Sequence, residues 1–314
     1  MNNEQWEMKT PQNLSRLLMT LTLPSFAKIN WTLEILGKRP DGYHEIRTLL
    51  QTVSVADELT FELAGRGITV HCDHLEVPCD ETNLAYRAAK LLGDFTGAGL
   101  GVRIRIAKRL PVAAGLGGGS GNAAVTLLAL QKLWEVQVGP RALFGIAAKL
   151  GADVPFFLIG GACLGVGRGD EVYPLADINE EFLLLVNPGI AVSTRDAYAD
   201  LPPELTKPEA VIKMPLSFEA AYAAIARPGA PIPLINDLEN TVFARHPALI
   251  EVKRRLKQVG ARGVLMSGSG STVFAIFDSA EERARAEDDL SATGWRSLRA
   301  RTLGRTEYLR LLGQ

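Results

Sequence analysis

Short runs of alternating apolar and polar residues fill the first quarter of the chain. They predict one or two strands over 21–35 and further strands over 48–55, 59–63 and 68–71. Arg39-Pro40-Asp41-Gly42 separates the first two runs with turn chemistry: Pro presets φ, Asp bonds back to the backbone, and Gly takes positive φ. The period then changes. Leu84, Ala88, Leu91 and Leu92 share one helical face, with Asp80, Thr82 or Asn83 as candidate caps. Val102, Ile104 and Ile106 alternate with Arg103, Arg105 and Ala107, which predicts a half-buried strand. A glycine-rich segment follows, then a helical stripe through Val125, Leu128, Ala129 and Leu133 and a helix over 141–150 that stops at Gly151.

Residues 182–186 read as a buried strand ended by the turn Asn187-Pro188-Gly189. Proline and alanine break the pattern over 201–233, leaving a short helical stretch around 218–226. Pro247 is placed for helix position N1 ahead of Leu249, Val252, Leu256 and Val259. A strand over 272–277 and a charged helix over 280–290 complete the reading.

A chain of 314 residues suggests two domains. A composition shift near 170–190 divides it into a flexible extension (1–20), an N-terminal domain (21–175) and a C-terminal domain (176–314). The 34 basic and 35 acidic residues nearly cancel, which gives no support to nucleic-acid or membrane-surface binding. The uncharged stretches 110–131 and 154–167 contain too much glycine to be membrane spans. The first twenty residues lack the apolar core of a secretory signal. Cys72, Cys79 and Cys163 form no disulfide framework, so a reducing, cytoplasmic setting is expected. His71, Cys72, Asp73, His74, Cys79 and Asp80 lack known zinc spacings and read as a polar loop.

The strongest chemical signal is Pro111-Val112-Ala113-Ala114-Gly115-Leu116-Gly117-Gly118-Gly119-Ser120-Gly121-Asn122, which joins a strand to a helix. Its glycines let backbone approach a ligand, and successive N–H groups at a helix N-terminus converge on an anion. It matches neither the P-loop nor the dinucleotide fingerprint, and a tight packing turn is the bland alternative. Other features are ambiguous alone. Asp153 in Gly151-Ala152-Asp153-Val154-Pro155 is either a helix cap or a functional acid, and Lys28 is either an edge-strand gatekeeper or a functional cation. Tyr43-His44 is either a loop tip or an aromatic lid, and Ser267-Gly268-Ser269-Gly270-Ser271 reads equally as a flexible hairpin.

These segments, with Pro24-Ser25-Phe26-Ala27-Lys28-Ile29-Asn30 and Arg39-Pro40-Asp41-Gly42-Tyr43-His44, occur in an order that resembles the GHMP kinase superfamily over residues 23–290. The resemblance implies a two-domain α/β (α+β) fold. Its N-terminal domain would be like ribosomal protein S5 domain 2 and its C-terminal domain ferredoxin-like, with the site in the cleft between them. It implies ATP as co-substrate, Mg²⁺ with it, and a cytidine diphosphate-linked methylerythritol as the small-molecule acceptor. Carried over residue by residue, Pro111 to Gly121 holds the ATP phosphates, Asp153 is the general base and Lys28 its partner. Asn30, Tyr43, His44 and Thr194 meet the substrate, and Ser267, Gly268, Ser269 and Gly270 form the third motif. No metal ligand is identified. Gly121 stands where the superfamily usually has a second serine, so one loop hydroxyl is missing. Rival readings are a superfamily kinase for mevalonate-type or homoserine-type alcohols, a silent nucleotide-binding regulator and a non-enzymatic interaction protein.

Overall fold

The computed structural model describes residues 20–98, 100–206 and 233–314. The helical stretch expected around 218–226 and nearly all of the N-terminal extension lie outside the described residues.

The first two elements are long antiparallel strands, β1 (Thr20–Lys38) and β2 (His44–Ala64). The two separate runs expected over 48–63 are therefore one strand. Asp57-Glu58 reads as a polar break, but Asp57 is buried and accepts from the Leu110 N–H, and a bulge takes up the irregularity: Ala56 faces Phe26 while Val53 faces Ala27. The bend lets β2 serve two neighbours. Its second half pairs with β4 (Gly101–Ala107), which pairs in parallel with β3 (Ile68–Cys72); its first half pairs with β5 (Ala162–Val166), which pairs with β6 (Glu171–Pro174). A four-stranded antiparallel sheet forms downstream in the order β11-β7-β10-β9, from β7 (Leu183–Asn187), β9 (Gly263–Met266), β10 (Val273–Ile276) and β11 (Arg296–Ala300).

Strand alternation explains how the layers join. Ala27, Ile29 and Trp31 project to one face of β1 and pack against Leu185, Leu265 and Phe274 of the second sheet, with Trp31 edge-on to Phe274 at 5.4 Å. Lys28 and Asn30 necessarily project to the other face, toward the cleft. The first sheet is covered by α1 (Leu84–Thr96), α2 (Gly118–Leu133), α3 (Pro140–Leu150) and the short α4 (Val154–Phe157). Asn83 is the cap of α1, its side chain accepting from the Ala85 N–H. The stripe expected on α2 is wider than predicted: every residue from Gly121 to Leu130 is buried, because helices and sheet surround it.

Beyond β7 lie α5 (Thr194–Ala199), α6 (Pro203–Thr206), the two-residue strand β8 (Ile235–Asn236) that pairs with β1, α7 (Leu238–Arg245), α8 (Ala248–Gln258) and α9 (Ala280–Leu290). Leu238, Val242, Leu249, Val252, Leu256, Ala286 and Leu290 of the last three form a core on the far face of the second sheet. Pro247 takes the N-cap of α8 rather than N1. The last helix, α10 (Arg305–Leu311), returns to the first core, where Leu303, Tyr308 and Leu312 are buried. No helix among the described residues is long and apolar enough to cross a membrane.

Candidate functional site

A cavity of about 1430 Å³ opens over the face of β1 that carries Lys28 and Asn30, and most of the singled-out residues line it. They include Lys28, Asn30, Tyr43, His44, Asp153, Thr194, Gly268, Ser269 and every residue from Pro111 to Ser120. Gly121, Ser267 and Gly270 lie behind its wall.

The glycine-rich loop is held rigidly. The Lys28 N–H donates to Leu116 O at 3.0 Å, the Thr272 N–H to Ala114 O at 3.2 Å and the Ser267 hydroxyl to Gly115 O at 2.9 Å. Gly115 (φ +74°) leaves no room for a side chain, since a Cβ would stand 2.0 Å from Ser267 O. Gly117 caps α2 in the left-handed region without a side-chain cap bond, and the first helical bond runs from the Gly121 N–H to Gly117 O. The N–H groups of Gly118, Gly119 and Ser120 therefore have no intrahelical acceptor at the cavity wall, at the positive end of the helix dipole. The missing second serine also has a local reason. A Cβ at Gly121 would stand 2.9 Å from the buried Ser25 hydroxyl and 3.1 Å from Phe26 O.

Lys28 is only 3% exposed and lies inside the sheet, so it is not an edge gatekeeper. Its ammonium donates to Asn30 Oδ1 at 2.6 Å, Asn30 Nδ2 donates to the Thr48 hydroxyl at 2.7 Å, and Thr48 donates to Thr32 O at 2.7 Å. Asp153 Oδ2 lies 3.9 Å from Lys28 Nζ. Burial pushes the Lys28 ammonium below the ordinary lysine value, and the Asp153 charge only partly offsets this. Asp153 occupies the N-cap position of α4, yet its side chain makes no cap bond and stays 38% exposed to the cavity. The bland cap reading therefore fails on geometry. Gly268 (φ +55°) makes space for the ammonium, because a Cβ there would stand 3.0 Å from Nζ. Asn236 Nδ2 donates to Met266 O and Gly268 O, both at 2.7 Å, and Thr194 and Ser269 share a hydroxyl bond of 2.8 Å.

At the other end of the cavity, Tyr43 stands 57% exposed with the Arg168 guanidinium 5.0 Å from its ring centroid. The His44 ring stacks on Tyr198 at 5.2 Å and 28°. Burial, with help from Lys38, lowers the His44 pKa, so its imidazole is neutral at pH 7.

Sequence reasoning missed Tyr198, Arg168 and the buried pair Lys108–Asp57. Lys108 Nζ donates to Asp57 Oδ2 at 2.5 Å, while Asp57 Oδ1 accepts from the Arg109 and Leu110 N–H groups, each at 2.8 Å. Lys108 lines the cavity beside Gly118. Its position directly ahead of the phosphate-type loop was the available signal. Tyr198 carried none, since only the packing of α5 brings it to His44.

Lys28 also yields a pH prediction. Its charged form is lost as pH rises through its lowered pKa. Turnover should therefore decline on an alkaline limb centred below the ordinary lysine value of 10.5. The Lys28→Arg variant, whose guanidinium stays charged, should lack that limb in a pH–kcat profile. An identical limb in both would assign it to another group.

Two family models match the chain: "GHMP kinases N terminal domain" over residues 83–161 and "GHMP kinases C terminal" over residues 218–294. A protein of Syntrophus aciditrophicus named 4-diphosphocytidyl-2-C-methyl-D-erythritol kinase is 44% identical over 87% of this chain and 96% of its own length. The protein of that name from Geobacter sulfurreducens is 39% identical over 90% of this chain and 99% of its own length. A crystal structure of 4-(cytidine 5'-diphospho)-2C-methyl-D-erythritol kinase superposes with a TM-score of 0.76 at 40% identity, covering 90% of this chain and all of that one. A homoserine kinase from Cytophaga hutchinsonii shares the fold at a TM-score of 0.68 and 20% identity, over 98% of this chain and 99% of its own. With such identity along nearly the full length of these relatives, the chain belongs to the 4-diphosphocytidyl-2-C-methyl-D-erythritol kinase family of the GHMP kinases.

Proposed function

We propose that this protein transfers the γ-phosphoryl group of ATP to the 2-hydroxyl of 4-diphosphocytidyl-2-C-methyl-D-erythritol, giving the 2-phosphate and ADP in the non-mevalonate route to isoprenoid precursors. The observation that carries the site assignment is Asp153, a carboxylate at a cap position that caps nothing and faces the cavity 3.9 Å from Lys28. Phosphoryl transfer leaves little covalent chemistry to the protein, so positioning and charge stabilisation do most of it. Asp153 accepts the proton of the attacking hydroxyl. Lys28, fixed by Asn30, places one positive charge between that carboxylate and the transferring group. The free N–H groups of Gly118, Gly119 and Ser120 receive the phosphate oxygens, and Lys108 adds a charge beside them. Residues 21–175 are the ATP-binding part and 176–314 the substrate part, with α10 crossing back.

Mg²⁺ fits this donor set as a metal carried by the nucleotide. The Ser120 hydroxyl, which lines the cavity beside the loop, would be a protein oxygen within reach of it. Bound there, the ion would neutralise phosphate charge. The exposed ring of Tyr43, with the His44–Tyr198 stack, is suited to a flat base, which homoserine and mevalonate lack. The reaction takes place in the cytoplasm, a setting that suits three free cysteines.

The test is ADP release with Mg-ATP and the cytidylyl substrate, homoserine or mevalonate. Only the first is expected to support turnover. Tyr43→Ala should raise its KM about tenfold while the KM for ATP holds, since one base–aromatic stack is worth roughly 1–3 kcal/mol. Turnover on homoserine, or an unmoved KM in that variant, would remove the base-recognition reading.

A further inference from the structure

The last helix, α10, lies beyond both matched family regions, which end at residues 161 and 294. It nevertheless reaches the back of the site. Tyr308 is fully buried, and its hydroxyl donates to the Phe157 carbonyl at 2.6 Å. Phe157 is the last residue of α4, the short helix that opens at Asp153. The neighbouring N–H groups of Leu158, Ile159 and Gly160 turn to the carbonyls of Pro155 and Phe156. The Phe157 ring extends in the opposite sense, beneath the glycine-rich loop. A Cβ at Gly117 would stand 2.9 Å from that ring and 3.0 Å from Lys28 Cγ, and one at Gly121 would stand 3.6 Å from the ring. One residue thus ends the turn that presents Asp153 and lies under the floor of the phosphate loop, and its carbonyl is held by Tyr308.

The tyrosine is itself firmly seated. Gly160 (φ +67°) leaves the space its ring occupies, since a Cβ there would stand 2.0 Å from the ring. Phe26 packs against it at 5.8 Å. Arg305 anchors the start of α10 to Ala162 O and Leu175 O, and Lys132 holds the far end through Gly313 O at 2.5 Å.

We propose that Tyr308 is a positioning residue for phosphoryl transfer: through the Phe157 carbonyl it sets the α4 turn that places Asp153 against the glycine-rich loop. This rests on the reading of Asp153 as the general base. Burial holds the hydroxyl protonated far above the ordinary tyrosine range, so it remains a donor at every working pH.

The experiment compares Tyr308→Phe, Phe157→Leu and the double variant in the full chain. Turnover is expressed per site able to bind a non-hydrolysable ATP analogue, so misfolded protein does not enter. Tyr308→Phe keeps the ring and removes only the donor. Its kcat is expected to fall roughly tenfold, since small displacements of reacting groups are costly, with both KM values within about twofold. Phe157→Leu keeps the carbonyl and alters only the ring beneath the loop; because both variants loosen the same turn, it should lower kcat as well, and the double variant should lose less than the two single losses combined. A hydroxyl that serves only burial would lower the unfolding midpoint and leave kcat per site unchanged, and that result, or additive losses in the double variant, would overturn the proposal. Asp153→Asn is assayed alongside. If it is inactive while Tyr308→Phe is normal, the positioning role alone fails; if it turns over normally, the general-base reading fails and takes the proposal with it.

Discussion

Asp153→Asn is expected to lower kcat by about 10³-fold, within the range of roughly 10²–10⁴ that a general base contributes. Asparagine preserves size and shape but cannot accept the proton of the attacking hydroxyl. Two observations make the variant clean. The Asp153 side chain caps no helix, so its replacement costs α4 no hydrogen bond. Lys28 keeps Asn30 as acceptor, so its ammonium is not left unpaired. The unfolding midpoint and both KM values should therefore stay close to wild type while single-turnover ADP formation collapses. A kcat within a few-fold of wild type would transfer the proton to another group, and a large loss of stability would make the carboxylate structural after all.

The second large effect falls on stability. Asp57→Ala is expected to cost about 3–5 kcal/mol, because it leaves the buried Lys108 ammonium uncompensated and removes the acceptor of two backbone N–H groups. For a chain of this size that corresponds to a fall in Tm of roughly 10 °C. Both lost N–H partners, Arg109 and Leu110, sit where the strand β4 hands over to the glycine-rich loop, so the KM for ATP should rise as well. Removing the cation too, in Asp57→Ala with Lys108→Met, should recover part of the stability but not the ATP affinity. A Tm within about 2 °C of wild type in the single variant would mean that water reaches Lys108 and that the pair is not buried in solution.

Lys28 illustrates what a one-dimensional pattern hides. In Phe26-Ala27-Lys28-Ile29-Asn30 the apolar residues announce a strand, and a lysine within it suggests a solvent-facing edge. The strand is instead flanked by β2 on one side and by Leu116 O on the other, so alternation carries Lys28 and Asn30 into a cleft and Ile29 and Trp31 into the core between sheets. Asp57 misleads in the same way. It reads as a strand break and is in fact a buried hub, because its partners Lys108, Arg109 and Leu110 lie on the segment that follows β4. Gly121 is the reverse case. Its difference from the superfamily pattern was legible, but the reason, the hydroxyl of Ser25 and the carbonyl of Phe26 crowding the space of a side chain, lies about a hundred positions away in the chain.

The amino-acid sequence by itself determined the local elements, whose periods of 2 and 3.6 are properties of neighbouring residues, and the glycine-rich strand-to-helix junction, whose backbone freedom needs no partner. Its ordered motifs also pointed to the GHMP kinases. Tertiary structure alone decided the rest: which face of β1 meets the cleft, that Asp153 faces Lys28 instead of capping its helix, that Tyr198 stacks on His44, and that α10 crosses back to hold Phe157. Each of those depends on the distance between residues far apart along the chain, and the packing of two sheets and their helices sets that distance where no local propensity can.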